Sequence, residues 1–412
     1  MLTKRSIAAV FAAALIFAAC SSGTASVAPS VAAPSSAASA AASAPASAPA
    51  SAAASQGASG FAACGSENNG SGLKVGGVTD VGHLDDKSFN EAGWCGTLKG
   101  ATAIGGSARV VVTKQPSDYA ANIQTLVDAG FQVIVTYGFN LTKETTIAAK
   151  KYPDVRFIGI DQFICINPDG TPDTQKVTTC AGKPDVVLPN YQGLNFNEAQ
   201  AGYLAGVVAG SISKTKTIGS IGGIKTVPPI PQYMGGYENG ALFANPSVKV
   251  LPQTFVSTDI TKAFNLPDVG RTIANQMIDA GADVIFQVAG GSGVGALEAV
   301  CAKNLYGIGV DIDQHQSAPT VSKCIVTSAE KKLVDSTAAA IQRVANKLDK
   351  GGNIFLDAKA DPPGIGLSPF YGFQDLITPE ITAKIKTAFD AMKAGTLDPC
   401  KGPGKCFFDP DK

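Results

Sequence analysis

The sequence predicts an α/β protein that is built from two similar lobes. Short apolar segments alternate with helical segments along most of the chain, and this alternation is typical of a buried parallel sheet with helices on both faces. The alternation runs twice, once before and once after about residue 190. Three of the strand-like segments end in an aspartate, at the edge where such folds bind their ligands. We therefore expect a binding cleft between two lobes.

The N-terminal segment has the composition of an export signal. A basic start precedes an apolar run over residues 7–17, which is too short to span a bilayer, and small residues follow it. Residues 1–20 are therefore predicted to be a signal peptide. Ala18-Ala19-Cys20 resembles a lipobox, in which the cysteine is lipidated and becomes the new N-terminus. Ordinary cleavage beside an unmodified Cys20 is the alternative.

Residues 21–72 are predicted to form a disordered tether. Up to about residue 60 they are almost only Ala, Ser, Pro, Gly and Val, without a charged side chain. Such a segment cannot bury enough apolar surface to offset the entropy that is lost on ordering. We therefore expect the folded part of the chain to begin near residue 73.

The charge balance argues against nucleic acid as a partner. The formal net charge is zero, and no block of basic residues stands out. After the signal, no apolar run is long enough for a transmembrane helix. We therefore expect attachment to the membrane through the lipid on Cys20 alone.

The cysteines indicate disulfides rather than a metal site. Nine cysteines minus Cys20 leave eight, and an even number in an exported chain suggests disulfide bonds. Eight cysteines allow 105 pairings. Joining sequence neighbours gives one plausible set, Cys64–Cys95, Cys165–Cys180, Cys301–Cys324 and Cys400–Cys406. Zinc is the rival interpretation, but there is no C-x-x-C and only two histidines occur, so we expect no metal.

The elements before residue 190 follow from periodicity and from stop signals. Between 117 and 130, Ile123, Leu126 and Val127 share one face of a helix, and Gly130 is a signal for its C-terminal end. Pro153 ends the next helix. The predicted strands are 74–79, 109–113, 131–137 and 156–160, and the predicted helices are 90–100, 117–130 and 141–152.

The elements after residue 190 repeat the pattern, following an insert from Cys165 to Pro189 that has turn composition. The many small residues of 197–213 predict a closely packed helix. The predicted strands are 186–196, 217–221, 249–255, 283–289, 305–310 and 324–328. The predicted helices are 197–213, 232–244, 268–281, 293–303, 330–350 and 379–394.

Three aspartates stand where strands are predicted to end, namely Asp80, Asp161 and Asp311. Side chains at these positions point into the crevice of an α/β fold. Each carboxylate can accept hydrogen bonds from two neighbouring hydroxyl groups or from N–H edges. Each could instead cap the loop or helix that follows it. Three acids at equivalent places favour a polar binding cleft.

Two aromatic residues are candidates for holding a flat ligand. Phe89 opens a helix beside polar residues, among them Asn90, and Phe264 lies in the polar loop 257–267. Packing of each ring within its own loop is one interpretation. The other is that the two rings enclose a ligand, because stacking of a nucleic-acid base on an aromatic side chain is worth about 1–3 kcal/mol.

A glycine-rich segment raises a different possibility. Gly291, Gly293 and Ala296 fit G-x-G-x-x-A, and Asp311 follows Gly291 by twenty residues, as in a dinucleotide-binding fingerprint. Taken alone, this pattern predicts an NAD-dependent dehydrogenase. Its late position in the second lobe and export from the nicotinamide pool oppose that interpretation. The backbone N–H groups after Gly290 could instead hold the oxygens of an uncharged ligand.

Hydrolytic chemistry is not indicated. The sequence contains no G-x-S-x-G segment. His83 lies near Asp85 and His315 lies near Asp313, so a pH switch is conceivable. We interpret both histidines as solvated loop residues.

Five segments together resemble one protein family. The strongest covers 78–91, Val-Thr-Asp-x-Gly-x-x-Asp-Asp-Lys-Ser-Phe-Asn-Glu. The others are 195–206, 281–293, 309–314 and Thr327-Ser328-x-x-Lys331. They resemble the basic membrane protein family, the purine-nucleoside-binding lipoproteins of ABC importers, over nearly the whole chain after the tether. The chain departs from that pattern at His83, where a small residue is usual, in its candidate disulfides and in the insert 165–180.

The resemblance implies a type I periplasmic-binding-protein fold, with two Rossmann-like lobes, three crossing strands and a hinged cleft. On that basis the N-terminal lobe comprises 73–190 and 325–350, and the C-terminal lobe comprises 191–324 and 351–412.

The resemblance also implies roles for the candidate residues. Phe89 and Phe264 would stack on the base. Asp80 and Asp311 would hold the ribose hydroxyls, and Lys331 would pair with Asp311. The remaining candidates, which would address the base edge or the ribose, are Asn90, Asp161 and the Gly290 loop.

We therefore expect an extracytoplasmic, lipid-anchored solute-binding protein of an ABC importer, without catalytic residues or a cofactor. Its expected ligand is a purine nucleoside (guanosine, inosine or adenosine), its expected partners are ABC permease subunits, and it is expected to be a monomer. A binding protein of the same fold for a sugar or a signalling ligand is the alternative. The NAD-dependent enzyme is the weaker alternative.

Overall fold

The computed structural model describes residues 64–173 and 180–406. The predicted signal peptide, Cys20 and the predicted tether as far as residue 63 lie outside the described residues. Within the described residues, no helix is both long and apolar enough to cross a membrane.

Two runs of alternating strands and helices make up the fold. The first run comprises β1 (Lys74–Val81), α1 (Phe89–Ala103), β2 (Ser107–Thr113), α2 (Tyr119–Asp128), β3 (Val133–Tyr137), α3 (Thr142–Lys151), β4 (Arg156–Ile160), α4 (Pro184–Val187) and β5 (Tyr191–Phe196). The second run comprises α5 (Glu198–Ile212), β6 (Thr217–Gly222), α6 (Pro229–Ala244), β7 (Lys249–Val250), β8 (Thr254–Phe255), α7 (Ile260–Ala263), α8 (Pro267–Asp279), β9 (Val284–Val288), α9 (Gly290–Ala302), β10 (Tyr306–Asp311), α10 (Gln314–Ser317) and β11 (Ile325–Lys331). The last elements are α11 (Leu333–Ala345), β12 (Gly352–Leu356), β13 (Ile365–Leu367) and α12 (Pro379–Ala394).

The first lobe is built on a parallel sheet of six strands in the order β12-β5-β4-β3-β1-β2. Helices α1 and α11 pack together on one face, where Trp94 and Ile341 share a buried core with Val75. Helices α2 and α3 cover the other face, where Ile123 shares a core with Val78. Side chains of a strand alternate between faces, so β1 contributes to both cores.

The second lobe is built on a sheet in the order β13-β11-β10-β9-β6-β7, with β8 also paired to β6. All of its pairs are parallel except β13, which runs antiparallel to β11. Helices α5 and α6 pack closely against each other, because glycines such as Gly206 and Gly240 bring the two backbones into contact. Helices α8 and α9 form a second pair, and α12 packs against α5. The predicted α/β fold of two lobes is confirmed.

The chain passes between the two sheets three times, after β5, after β11 and after β12. The predicted lobe boundaries are wrong for these three strands. β5 and β12 pair in the first sheet, and β11 pairs in the second. The apolar pattern of a strand shows that it is buried, but its choice of sheet depends on partners that are distant in sequence.

Three predicted elements differ from the structure for local reasons. The predicted strand 249–255 is divided into β7 and β8 around Pro252, which cannot donate a ladder hydrogen bond. The first part of predicted strand 186–196 is instead helix α4, with Pro184 at its first position. The predicted helix 330–350 begins only at Leu333, because β11 continues to Lys331.

The last nine residues of the predicted tether, 64–72, belong to the fold. Asn68 forms a backbone bridge to Ala108, and a disulfide joins Cys64 to Cys95 in α1. The disulfide and the bridge to β2 hold these residues in place, although their composition predicted disorder. The tether prediction is therefore wrong for these residues.

The described residues contain four disulfides, and they join the sequence neighbours in the way that we gave as one plausible set. The pairs are Cys64–Cys95, Cys165–Cys180, Cys301–Cys324 and Cys400–Cys406. The described ranges contain no group of three or more His, Cys, Asp or Glu side chains that is arranged to hold a metal ion.

Candidate functional site

One cavity lies between the carboxyl ends of the two sheets. The first lobe supplies the end of β1, the start of α1 and the residue after β4, and the second supplies the ends of β10 and β11 and the start of α9. All eight residues that the sequence predicted to bind a ligand line this cavity, namely Asp80, Phe89, Asn90, Asp161, Phe264, Gly290, Asp311 and Lys331. The site lies outside the carboxyl ends of the strands, as expected for such folds.

Asp86 fixes the start of α1 and hence the positions of Phe89 and Asn90. Its carboxylate accepts hydrogen bonds from the backbone N–H groups of Ser88 (2.9 Å), Asn90 (3.0 Å) and Glu91 (3.2 Å). An acid here satisfies donors that the helix leaves unpaired, and it suits the positive end of the helix dipole. Burial raises the pKa of Asp86 to about 7. Asp86 also lines the cavity and was not predicted, although an aspartate just before a helix is a capping signal.

Asp80 is the penultimate residue of β1, and its carboxylate is held by three donors. They are the Tyr119 hydroxyl, Asn140 Nδ2 at 2.9 Å and the Val81 backbone N–H at 2.7 Å. Burial raises the pKa of Asp80, and these hydrogen bonds oppose the rise. Gly138 leaves room for the carboxylate, because a Cβ there would lie 2.6 Å from Asp80 Oδ2. Oδ1 accepts from Tyr119 and Val81, so Oδ2 keeps more capacity for a donor on a ligand.

Lys331 lies among three buried carboxylates. Its Nζ is 2.5 Å from Asp161 Oδ2, 3.5 Å from Asp311 Oδ1 and 3.6 Å from Glu198 Oε1. The family resemblance implied pairing with Asp311, whereas Asp161 is the nearer partner. Burial lowers the pKa of Lys331, but the three carboxylates outweigh burial and raise the pKa above its ordinary value. Burial raises the pKa of Glu198 to about 8, so the cluster can hold a proton at neutral pH.

Asp161 and Asp311 share an uncommon backbone conformation at equivalent strand ends. Their φ angles are 57° and 67°, in the left-handed region that aspartate tolerates better than most residues. Such conformations cost on the order of 1–3 kcal/mol and persist where the surrounding structure holds them, often at functional sites. The turns after β4 and β10 bring both carboxylates to Lys331.

Hydrogen bonds join the two lobes beside the cavity. Ser88 Oγ donates to Asp311 Oδ2 at 2.6 Å. The backbone carbonyl of Lys87 accepts from Gln314 Nε2 at 2.8 Å and from Ser317 Oγ at 2.9 Å. The segment that precedes α1 in the first lobe is therefore attached to the end of β10 and to α10 in the second lobe.

Phe89 and Phe264 bring two half-buried rings to the cavity, one from each lobe. Lys331 Nζ lies 4.8 Å from the centre of the Phe89 ring, within the range of a cation–π contact. The Phe264 ring packs over Gly223, where a Cβ would overlap it. Glycine at position 223 therefore allows Phe264 to reach the cavity.

Two buried oxygen atoms of the cavity have no hydrogen-bond partner within the described part of the chain. They are Asn90 Oδ1 and Asp161 Oδ1. The Asn90 amide is oriented by its Nδ2, which donates to the His83 carbonyl at 3.3 Å. An unpaired buried acceptor costs roughly 1–3 kcal/mol. A ligand that carries N–H or O–H groups can supply both missing donors.

The charges around the cavity are predominantly acidic. Among the described residues that line it, one lysine and one exposed histidine, His83, accompany four aspartates, namely Asp80, Asp86, Asp161 and Asp311. Excess negative charge repels anions in a partly buried site. The cavity therefore favours a neutral or cationic ligand.

The glycines at the start of α9 serve contacts within the protein. Gly290 lines the cavity, as predicted. A Cβ on Gly293 would overlap the Gln287 amide, and one on Gly291 would lie 3.0 Å from the Phe264 carbonyl. Packing thus accounts for the G-x-G-x-x-A pattern without a dinucleotide.

The two histidines have different surroundings. His83 is exposed at the mouth of the cavity. His315 is half-buried, and its ring stacks on Tyr371 with 3.8 Å between centroids and 11° between planes. The prediction that both are solvated loop residues is therefore wrong for His315. Tyr371 lies far along the chain, so no local pattern indicates this contact.

A family model described as "ABC transporter substrate-binding protein PnrA-like" matches residues 73–388. The matched segment begins just before β1 and ends within α12. It therefore includes both sheets and every predicted binding residue.

Named relatives match most of the chain. Basic membrane protein A of Borreliella burgdorferi is 31% identical over 282 residues, which cover 66% of this chain and 73% of that protein. The ABC transporter nucleoside-binding protein BmpA of Lactococcus lactis subsp. cremoris is 30% identical over 269 residues, which cover 61% of this chain and 67% of that protein. The CD4+ T-cell-stimulating antigen of Listeria monocytogenes is 28% identical over 328 residues, with 75% and 83% covered.

Solved structures of solute-binding proteins share the fold. An ABC transporter solute-binding protein from Aeropyrum pernix K1 superimposes with a TM-score of 0.65 at 20% identity, covering 79% of this chain and 93% of that chain. One from Conexibacter woesei superimposes with a TM-score of 0.59 at 20% identity, covering 81% and 99%. At this level of identity the likeness shows the two-lobed fold of periplasmic binding proteins.

Proposed function

The chain belongs to the Bmp family of PnrA-like ABC transporter substrate-binding proteins, and from this premise we propose that it captures a purine nucleoside between its lobes. Proteins of this family bind a substrate for transport and are not enzymes. The name of the Lactococcus lactis relative, a nucleoside-binding protein, supports the same class of ligand.

The observation that carries the proposal is the composition of the cavity between the carboxyl ends of the two sheets. It combines two aromatic rings, Phe89 and Phe264, with carboxylates at the ends of strands and with buried acceptors that lack donors. A purine offers a flat surface for the rings, and a nucleoside offers both N–H and O–H groups for the acceptors. A simple sugar can donate to the carboxylates, but it has no flat π surface for the two rings and no N–H group for the acceptors.

We assign the following roles on this basis. The base stacks between Phe89 and Phe264. The ribose hydroxyls donate to Asp80 and Asp311, and Lys331 Nζ lies 3.5 Å from Asp311 Oδ1. The residues that address the base edge or the remaining ribose atoms are Asn90, Asp161 and Gly290.

Binding requires both lobes, because each supplies one ring and at least one carboxylate. Closure of the lobes on the ligand would bury these contacts and strengthen each hydrogen bond by excluding water. The contacts of Ser88 and Lys87 with the second lobe stabilise the same closed arrangement. The closed form is the one that a membrane permease would recognise.

The proposal extends to location. Export, lipidation at Cys20 and a tether up to residue 63 would hold a monomeric binding protein on the extracytoplasmic face of the membrane, next to the permease subunits. Mass spectrometry of the N-terminal peptide from membranes tests this part. A diacylglyceryl group on Cys20 is expected, and an unmodified peptide that begins elsewhere would exclude the anchor.

Calorimetric titration with a panel of ligands tests the function itself. Guanosine, inosine and adenosine are compared with ribose, arabinose and NAD. We expect micromolar or tighter binding of at least one nucleoside and no measurable binding of the free pentoses or NAD. Tighter binding of a pentose than of any nucleoside would replace the proposal with the sugar-binding alternative.

A pair of phenylalanine variants tests the stacking. Phe89→Ala removes a cavity ring, whereas Phe243→Ala removes a ring that is 44% exposed and does not line the cavity. We expect Phe89→Ala to weaken nucleoside binding by roughly 5-fold to 150-fold, at about 1–3 kcal/mol per stacked base. Phe243→Ala should bind as the natural protein does. Equal affinities for the two variants would contradict the stacking role.

A further inference from the structure

A second opening between the lobes adjoins the cavity, and we call it the hinge-side groove. It lies where the chain crosses between the sheets after β5 and after β12, at Asn197, Glu198 and Asp357. Its volume is about 360 Å³, which is within the range of small-molecule sites. It shares Asp161 and Phe139 with the cavity, so the two spaces have a common wall.

The groove presents aromatic surface to solvent. Phe163 and Phe355 form a tilted pair, with 6.2 Å between ring centroids and 48° between planes. Phe355 is 64% exposed, although a phenylalanine in a strand usually packs inward. Phe139 and Phe196 add two more rings to the lining. Phe196 is buried, so the aromatic surface that a ligand can reach is that of Phe355 and the half-buried Phe163.

The ionisable side chains that line the groove are all acidic. Asp161, Glu198 and Asp357 line it, and no lysine, arginine or histidine of the described ranges does so. Asp357 Oδ1 accepts the backbone N–H of Lys359 at 2.8 Å, which orients its carboxylate. Lys331 is the cation nearest to Asp161, and it lies among the cavity carboxylates rather than in the groove lining.

One carboxylate oxygen on the common wall lacks a donor. Asp161 Oδ1 has no hydrogen-bond partner among the described residues, although only 5% of the Asp161 side chain is exposed. Asp161 Oδ2 is taken by Lys331. A donor that reaches Oδ1 from the groove would therefore complete the coordination of a carboxylate that already belongs to the main site.

We propose that the hinge-side groove binds an ammonium group, carried either by a substituent on the nucleoside or by a separate organic amine. Aromatic faces beside carboxylates are the surroundings in which proteins hold organic cations. No basic side chain of the described residues lines the groove, and Lys331 approaches Asp161 and Glu198 from the cavity side. The first of the two sources rests on the proposed function, and the second does not. The amine donates to Asp161 Oδ1 or Asp357, and its carbon chain lies against Phe163 and Phe355.

Titration calorimetry with matched ligands tests the proposal. The probes are adenosine, its N6-hexyl and N6-(6-aminohexyl) derivatives, the same two arms attached at the 5′ position, and 1,6-diaminohexane alone. We expect an aminohexyl derivative to bind about 10-fold more tightly than the hexyl derivative of the same series. If the amine is a separate ligand, we expect diaminohexane to bind by itself. The aminohexyl derivatives of adenosine should then bind no more tightly than the hexyl derivatives.

Two groove variants locate the effect. Phe355→Ala and Asp357→Asn change side chains that do not line the cavity. Each should reduce the advantage of the aminohexyl arm, or the affinity for diaminohexane, by at least 3-fold, and leave adenosine binding unchanged. Asp279→Asn, an exposed acid on α8, serves as the control and should change none of these values.

The outcomes separate this proposal from the nucleoside function. Equal binding of amino and hexyl arms in both series, together with no binding of diaminohexane, would overturn the groove proposal while nucleoside binding stands. Failure of adenosine, guanosine and inosine to bind would overturn the nucleoside function. Diaminohexane binding that Asp357→Asn weakens would then still support the groove.

Discussion

Ser88 Oγ donates a hydrogen bond of 2.6 Å to Asp311 Oδ2, and this contact joins two lobes across 223 residues of sequence. It links the start of α1, which presents Phe89, to the strand-end acid of the second lobe. Both partners are buried, so water does not easily replace either of them. The geometry of the candidate site is therefore coupled to the closure of the lobes.

Replacing Ser88 by alanine should weaken ligand binding without unfolding the protein. Hydrogen bonds to charged groups contribute about 1.5–3 kcal/mol, which corresponds to a loss of affinity of roughly 10-fold to 100-fold. Calorimetry of Ser88→Ala measures this loss. Ser247→Ala, in an exposed turn, is the matched control. Unchanged affinity of Ser88→Ala would show that the contact does not support the closed state.

Replacing Lys331 by an uncharged residue should lower the free energy of unfolding more than the same substitution at the neighbouring Lys332. Loss of one partner from a buried ion pair typically costs about 3–5 kcal/mol. Lys331 is 1% exposed, whereas Lys332 is 40% exposed, so Lys331→Met and Lys332→Met form a matched pair. Urea unfolding of both variants measures the difference.

The loss of unfolding free energy caused by Lys331→Met should also depend on pH. Without the cation, the pKa values of Asp161 and Glu198 in the folded state rise further above their unfolded values. Stability that depends on an acid with a raised folded-state pKa is lost as pH rises. We therefore expect Lys331→Met to lose more stability at pH 8 than at pH 5. An equal loss at the two pH values would contradict the proposed effect of Lys331 on the two acids.

Asp86 should make the folded protein less stable as pH rises through the neutral range. The pKa of Asp86 is about 7 in the folded state, above its ordinary value of 3.8. Protonation of Asp86 therefore stabilises the fold fully below about pH 3.8, and this contribution is lost by about pH 7. The free energy of unfolding of Asp86→Asn minus that of the natural protein should therefore increase between pH 4 and pH 7. Denaturant unfolding over this range tests the sign. A difference that stays constant, as expected for Asp279→Asn, would exclude Asp86 as the titrating group.

Phosphorylated nucleosides should bind far less tightly than nucleosides. Four aspartates and one lysine line the cavity, so a 5′-phosphate enters an unfavourable potential. We expect at least a 100-fold weaker affinity for guanosine 5′-monophosphate than for guanosine in titration calorimetry. The gap should narrow at high ionic strength, because salt screens the repulsion at the cavity mouth. Equal affinities would indicate that the phosphate lies outside the field of these acids.

The disulfides should differ in their contribution to stability. In the chain-entropy model, the stabilisation grows with the length of the closed loop, to about 3.4 kcal/mol for a separation of 23 residues and about 2.2 kcal/mol for 6. Replacing Cys301 and Cys324 by alanine should therefore lower the unfolding free energy more than replacing Cys400 and Cys406. Thermal and denaturant unfolding of the two double variants compare them. A larger loss at Cys400 and Cys406 would contradict the ranking.

Local patterns in the sequence predicted most of the residues of the candidate site. Asp80, Asp161 and Asp311 were identified because a strand end is visible in the apolar pattern, and side chains there meet at one edge of a parallel sheet. Phe89 and Asn90 were identified because a helix start is visible in the same way. The pairing of cysteines within short loops likewise reflects closure over short distances along the chain. Phe264 was identified as an aromatic residue in a polar loop, and Lys331 came from the family resemblance.

Other features depended on contacts that no local pattern contains. The approach of Lys331 to Asp161 spans 170 residues, and the contact of His315 with Tyr371 joins α10 to a distant segment. The capping of α1 by Asp86, in contrast, follows a local pattern, because an aspartate shortly before a helix is a capping signal.

The sequence by itself determined the alternation of strands and helices and the aspartates at strand ends, because each of these follows from the order of neighbouring residues. Only the tertiary structure decided which sheet β5, β11 and β12 join, which acid pairs with Lys331, and that Ser88 bridges the lobes. The physical reason is that a buried strand or charge shows in sequence only that it needs a partner. The identity of the partner is settled by packing between segments that lie far apart in the chain.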